Sequence, residues 1–405
     1  MTKEQRYFIT LLSDYIHGRQ SKAPAYHVNW NQIASIASEQ VLSGIIYQQC
    51  RKMKKISTGA KRELKEGYFS DVYQSVNSDY AYRQVVDALG KNEIDYLPFK
   101  GTLLRNYYPA PELRTMGDRD ILIKHEDRKK SDQAVLALGY TKFVDNIAVW
   151  TYVRPYLMFE IHDVMFYEHL SNGVDYRGYF SNVWNSAVHV KSRSHGYVPD
   201  PAFHFLYLMA HTAKHLTNKG MGFRAFLDMV FFCRNAERVD GKAPDWEQIR
   251  TELEELSLYE FTCVCFSLCE AWFGVSMPFE KKRLEPGFAR LAAEKIFRDG
   301  LFGLSNEDNA SAQAAKEIRR YSGRYSISAL KLMVRRVCPR YDDMRVVKWY
   351  GFLDGRPWLL PIAWAYRWIH SLKHKSRQGW ALVTEPYRRK KQIEERELYL
   401  SRWGL

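Results

Sequence analysis

The apolar period of this chain changes twice, and that pattern restricts the fold more than any other feature. Up to about residue 90 the spacing is helical: Tyr7, Ile9, Leu11, Leu12, Tyr15 and Ile16 form one stripe, and Ile33, Ile36, Val41, Ile45 and Ile46 another. Strand-like sequence begins only after that. Residues 95–99 are a short apolar run ended by Lys100-Gly101, residues 102–108 have helical spacing, and Tyr108-Pro109-Ala110-Pro111 stops them. In 117–124 the apolar Ile121 and Ile123 alternate with other side chains, a helix is expected from about 126 to 138, and Gly139 closes it. Residues 152–166, with a turn at Arg154-Pro155, supply at least one further strand, centred on 159–163. The helical period returns from 200 to about 238, and helices are expected to continue to Tyr325. A few strands enclosed by helices predict an α+β protein with a small mixed β-sheet core. The expected division is a helical N-terminal region (1–88), an α/β core (89–195), a second helical domain (196–330) and a basic, Trp-rich helical extension (331–405).

A chain of 405 residues with abundant aromatics is long enough for two or three packed units. Its formal charge of +14 points to an anionic partner such as nucleotide, nucleic acid or an acidic membrane surface. Much of the excess lies late, in Arg319 and Arg320, Arg335 and Arg336, Lys373, Lys375 and Arg377, and Arg388 through Lys391, runs that solvated helix faces ordinarily explain. The N-terminus has helical spacing with early acids and no signal-peptide pattern. The most apolar windows, 261–273 and 358–366, contain Glu270 or are bounded by Arg356 and Arg367, and both fall short of the ~20 residues of a spanning helix. No transmembrane segment is expected, and the aromatic stripe from Trp358 to Trp368 is expected to bury against the protein. Six cysteines lack framework spacing, and Cys263, Cys265 and Cys269 read as small core hydrophobes, consistent with a cytoplasmic protein.

Chemistry concentrates around Asp118 and Asp120. Two residues apart in a strand, they emerge on one face while Arg119 points to the other. Such a pair repels itself unless a cation neutralises it, and Mg²⁺ is commonly held by carboxylates together with substrate phosphates. Glu160 sits in the next strand pattern, flanked by apolar neighbours. Three acids at the edge of a small sheet suit a site for Mg²⁺ or Mn²⁺, ions that stabilise both oxygens of an in-line phosphoryl displacement. Upstream, Lys100-Gly101-Thr102 carries a strand into a turn and helix whose first N–H groups suit phosphate, with Thr102 adding a hydroxyl.

These strings resemble the nucleotidyltransferase superfamily that includes DNA polymerase beta, and more closely a branch of uncharacterised bacterial nucleotidyltransferase-like proteins. Phe99-Lys100-Gly101, Tyr107-Tyr108-Pro109, Leu113-Arg114, Asp118-Arg119-Asp120 and Glu160-Ile161-His162 carry the likeness. So does a second block, His211-Thr212-Ala213-Lys214-His215 with Gly220, Arg224 and Asp228. The resemblance implies that Gly101 and Thr102 form the phosphate turn and that Asp118, Asp120 and Glu160 are the catalytic, metal-binding carboxylates. Two departures accompany it: the gap from Gly101 to Asp118 is long, and Arg119 stands where the branch places an apolar residue, so it must snorkel or pair with an acid.

Lys100 and Arg114 bracket the expected phosphate site, and Lys214 and Arg224 are expected as further nucleotide-binding cations from the second helical domain. His204, His211 and His215 share one helix face, without the Glu of a His-Glu-x-x-His zinc helix. Arg224 and Asp228 read as an (i, i+4) salt bridge. The expected activity is transfer of a nucleoside monophosphate from an NTP, with ATP the first guess, to an unidentified acceptor with release of pyrophosphate. The alternative is a catalytically silent relative that binds nucleic acid or a protein through its basic C-terminal region.

Overall fold

The N-terminal helices start where polar side chains cap them. In α1 (Lys3–Ile16), Thr2 and Gln5 form a reciprocal capping box. Asn29 caps α2 (Trp30–Glu39), and Ser57 caps α4 (Thr58–Lys91), a 34-residue helix that follows α3 (Ser43–Cys50). The computed structural model describes the chain except residues 146–148, 156, 168–169, 171, 219, 301–330, 332, 342–343, 345–347, 354 and 375–389. The expected helices up to Tyr325 and the basic residues Arg319, Arg320, Lys375, Arg377, Arg388 and Arg389 lie outside the described residues, as does the side chain of Lys373.

After α4 come β1 (Tyr96–Phe99), a single helical turn α5 (Gly101–Leu104), β2 (Arg119–Ile123), α6 (Arg128–Ala137), β3 (Thr141–Asp145), β4 (Val149–Arg154) and β5 (Leu157–His162). The strands form a mixed five-stranded sheet in the order β1-β2-β5-β4-β3, with only the β2/β5 pair parallel. This is the α+β architecture expected from the period changes. Ile121, Ile123, Phe159 and Ile161 pack in one cluster with Val85 and Leu89 of α4 and Val135 of α6. Leu97, Phe99 and Leu122 belong instead to the large helical core. Both faces of the central strands are therefore covered, and β1 and β2 are buried at every position. Arg119 is accommodated by pairing: its guanidinium binds Asp79 of α4, donates to Ser78 Oγ at 2.9 Å and lies 4.9 Å from the Tyr82 ring centroid.

Two short helices, α7 (Tyr176–Phe180) and α8 (Val183–Ser186), and an antiparallel pair of two-residue strands, β6 (Val188–His189) and β7 (Tyr197–Val198), lead to the second helical region. It comprises α9 (Pro201–Asn218), α10 (Phe223–Asp240), α11 (Trp246–Glu255), α12 (Tyr259–Phe273) and α13 (Phe288–Asp299). Helices on either side of the sheet in sequence share one core: Phe8 packs on Phe223 and Phe297, and Tyr15 on Phe231. The chain end joins it through the helix Lys390–Ser401, just beyond which Trp403 packs against Phe226 and Phe288. Cys263, Cys265 and Cys269 are buried free thiols, as their apolar setting implied.

The aromatic stripe of α14 (Leu360–His374) departs from expectation. Its indoles at Trp364 and Trp368 donate to the carbonyls of Pro339 and Val337, but Trp358, Ile362, Tyr366 and Ile369 are exposed. Among the described residues, no helix is long and apolar enough to cross a membrane.

Candidate active site

The site starts where β1 ends. Lys100 adopts φ 50° and ψ −134°, a conformation costly for a residue with a Cβ, and its carbonyl accepts the N–H groups of Leu103 and Leu104 to start α5. The bend sends the Lys100 ammonium back onto Asp120 of β2, where it is ion-paired. Gly101 follows because nothing larger fits: a Cβ there would stand 2.2 Å from Arg114 Nη1.

Across the sheet, parallel pairing of β2 with β5 sets Asp120 directly beside Glu160. Residues in register on adjacent strands point the same way, and His162, two further along β5, shares that face. His162 Nε2 lies 3.0 Å from Asp120 Oδ1 and 3.3 Å from Glu160 Oε2. One donor atom from each of Asp120, Glu160 and His162 falls within 4.8 Å of the others, a spacing that fits a divalent cation. Asp118, on the approach to β2, lines the same cleft and is half-buried. All three expected acids thus open into one cleft with Lys100 and Gly101.

Their electrostatics differ. Burial alone would push the Asp120 carboxyl up, but Lys100 and His162 outweigh it and hold it near 2. The hydrogen bond from His162 lowers Glu160. Asp118 has no hydrogen-bond partner of that kind among the described residues, and burial, reinforced by the charges of Asp120 and Glu160 and only partly opposed by Lys100, raises it to about 6. The site therefore holds two firmly ionised carboxylates and a third that titrates near neutrality.

The opposite wall of this cleft, about 500 Å³ in volume, comes from α9 and α10. His204, His211 and His215 all reach it from one helix face, together with Lys214 and Arg224. His211 and His215 face each other with 2.9 Å between their Nε2 atoms. Burial, aided by the neighbouring His215 and Lys214, drives His211 well below the usual histidine range, and burial brings His204 to about 4. Both are neutral at physiological pH. Tyr207 packs its ring on Phe99 at 5.4 Å and on His211 at 5.6 Å, linking this wall to the sheet.

Three expectations change in detail. Arg224 and Asp228 do not form the expected salt bridge: Asp228 is taken by Arg114, with Nε–Oδ1 at 3.1 Å and Nη2–Oδ2 at 2.8 Å, and accepts from Tyr108 OH at 2.7 Å. Arg224 donates instead to the Thr115 carbonyl at 2.9 Å, and burial beside Arg114 draws it down to about 10. Thr102 is buried, is not among the residues lining the cleft, and its hydroxyl has no partner among the described residues. The helix after the turn is one turn long, so the cleft receives the Lys100 side chain and the Gly101 backbone and not the mouth of a long helix. His162 had no assigned role in the sequence reading, although its position two residues from Glu160 in a strand placed it on the same face.

A carboxylate cluster on one face of the central strands β2 and β5, opposed by a cationic helical wall, suits a protein that handles phosphate esters with a divalent cation. The chain belongs to a family described as uncharacterised nucleotidyltransferase, which matches it over residues 26–274. That span includes the sheet, the acids and both helices of the opposite wall. Neither the curated proteins nor the solved structures gave a match.

Proposed function

We propose that this chain is a metal-dependent nucleotidyltransferase that moves a nucleoside monophosphate from an NTP to an acceptor hydroxyl and releases pyrophosphate. One observation carries the reading: Asp120, Glu160 and His162 converge within metal-ligand spacing in a cleft whose far wall presents Lys214 and Arg224. Asp118, Asp120 and Glu160 act as the catalytic carboxylates, and with His162 they would hold Mg²⁺ or Mn²⁺. Such an ion would neutralise the triphosphate and polarise the α-phosphorus. Lys100, Lys214 and Arg224 bind the phosphates, Gly101 lets them approach the backbone, and Arg114 positions Asp228 and the turn. In the transfer, the acceptor oxygen bonds to the α-phosphorus as the bond to pyrophosphate breaks, and its proton passes into the carboxylate cluster.

The test is incubation of pure protein with each α-labelled NTP, Mn²⁺ and a metabolite or lysate pool, followed by mass spectrometry. An acceptor gaining one nucleoside monophosphate is expected. No transfer from any NTP, together with no metal-dependent nucleotide binding, would sink the proposal.

A second reading, a silent scaffold that binds nucleic acid or a protein through its basic C-terminal region, draws support from Lys100. An internal ammonium on Asp120 lowers the cost of keeping that carboxylate without metal. Stoichiometric nucleic-acid binding with a steep salt slope, and no metal-dependent nucleotide binding, would select it.

A further inference from the structure

Far from a typical solvated surface, the outer face of α4 carries a row of large apolar side chains. Phe69, Tyr73, Val76 and Tyr80 are 56%, 57%, 61% and 67% exposed. Their spacing of four, three and four residues is that of a coiled-coil seam, which on a helix selects another helix as its partner. The same spacing continues outward to exposed charges, with Arg62 and Glu66 before the apolar stretch and Arg83 and Asp87 after it. The full row spans roughly 38 Å of a continuous helix, at 1.5 Å per residue.

From this row we infer that α4 is a self-association surface whose occupant is α4 of a second copy of this chain, running antiparallel. The charges identify the occupant. A two-fold axis midway between Tyr73 and Val76 sets Tyr73 opposite Val76 and Phe69 opposite Tyr80 of the other copy. The same axis sets Glu66 opposite Arg83 and Arg62 opposite Asp87, so every charged layer meets its opposite sign. A two-fold contact requires such reciprocity, because each residue meets its partner twice, once on either side of the axis. A parallel pairing would instead stack each charge on its own copy, Glu66 on Glu66 and Arg83 on Arg83. Asp87 also holds Arg193 of its own chain, so Arg62 of the second copy would join an existing pair. The inner edge of the same helix presents Asp79 to Arg105 and Arg119, so the association would brace the helix against which β2 is anchored.

Sedimentation equilibrium of the full chain at low salt tests this. Wild type is expected to be a dimer at micromolar concentration. Glu66→Arg and Arg83→Glu each place like charges together in both symmetric layers and should weaken dimerisation roughly tenfold or more. The double variant Glu66→Arg/Arg83→Glu restores opposite charges and should recover the dimer, a result that a merely damaged surface cannot give. Val76→Asp at the centre should leave a monomer, with circular dichroism confirming that each variant is folded. A monomeric wild type would overturn the inference. So would a dimer indifferent to all three single changes, or a double variant as weak as its parents.

Discussion

The ammonium of Lys100 is ion-paired with Asp120, so the most buried carboxylate of the cleft already has a cation of its own. Cations bound at one carboxylate compete, and a divalent ion taking Asp120 must displace the lysine. Lys100→Met is therefore expected to bind Mn²⁺ alone more tightly than wild type, by roughly tenfold, since each tenfold is about 1.4 kcal/mol and a buried charge pair readily supplies that. In wild type the displaced ammonium is free to meet phosphate, so the same variant should bind NTP more weakly. Electron paramagnetic resonance titration of free Mn²⁺ reads the first effect and nucleotide titration the second. Equal Mn²⁺ affinities would mean that the lysine does not guard the site.

The backbone of Lys100 makes a separate prediction. At φ 50° a side chain costs about 1–3 kcal/mol that glycine avoids. Lys100→Ala and Lys100→Gly both remove the ammonium, but only the second relieves the backbone. Chemical denaturation should find Lys100→Gly more stable than Lys100→Ala by about 1 kcal/mol, the reverse of the usual order within regular structure. If alanine proves the more stable of the two, the turn is not strained as described.

Much of the carboxylate site was legible because strand geometry is periodic. Asp120 shares a face with its register partner Glu160, whose apolar neighbours fixed which way it pointed, and Asp118, just before β2, opens into the same cleft. The same rule placed His162 beside Glu160, yet a histidine at the end of a strand carries no mark that it reaches a carboxylate on the next strand. β3 was missed for a physical reason: it is an edge strand with Phe143 mostly exposed, and its short mixed sequence offers no buried alternation to read. Partner choice was the least legible feature. Local spacing offered Arg224 to Asp228, but Arg114, distant in sequence, presents both nitrogens to the two carboxylate oxygens, a fork that the helical neighbour does not match.

That Arg114–Asp228 pair is buried on both sides, and breaking it is expected to be expensive. Asp228→Ala leaves a guanidinium and the Tyr108 hydroxyl without their acceptor and should cost about 3–5 kcal/mol, the range for removing one partner of a buried pair. Gly101→Ala acts on the same arginine from the other side, since its methyl would displace Arg114 Nη1. Its stability loss should be much smaller in an Asp228→Ala background, where the arginine is already released. Additive losses in the double variant would show that the two sites are not coupled through Arg114.

Asp118 gives the pH dependence. Its folded carboxyl titrates at about 6 against an ordinary value of 3.8, raised first by burial and then by Asp120 and Glu160, with Lys100 opposing. A carboxyl raised on folding stabilises the protein in its protonated form. Its contribution is complete below about pH 3.8 and is lost as pH rises to about 6 and beyond. Asp118→Asn keeps the neutral form at every pH. In metal-free protein, wild type and variant should melt together near pH 4, and the variant should melt higher above pH 7. Allowing for partial exposure, the difference is about 2 kcal/mol, or roughly 2–4 °C for a chain of this size. Adding Mn²⁺ and NTP should reverse the order, because a ligand that binds only the folded state stabilises wild type by mass action while the variant has lost a carboxylate from the site. Melting curves with EDTA, and then with metal and nucleotide, across pH 4 to 8 measure both effects. A difference that does not change with pH would remove Asp118 as the titrating carboxyl. Equal gains from metal and nucleotide in both proteins would remove it from the site.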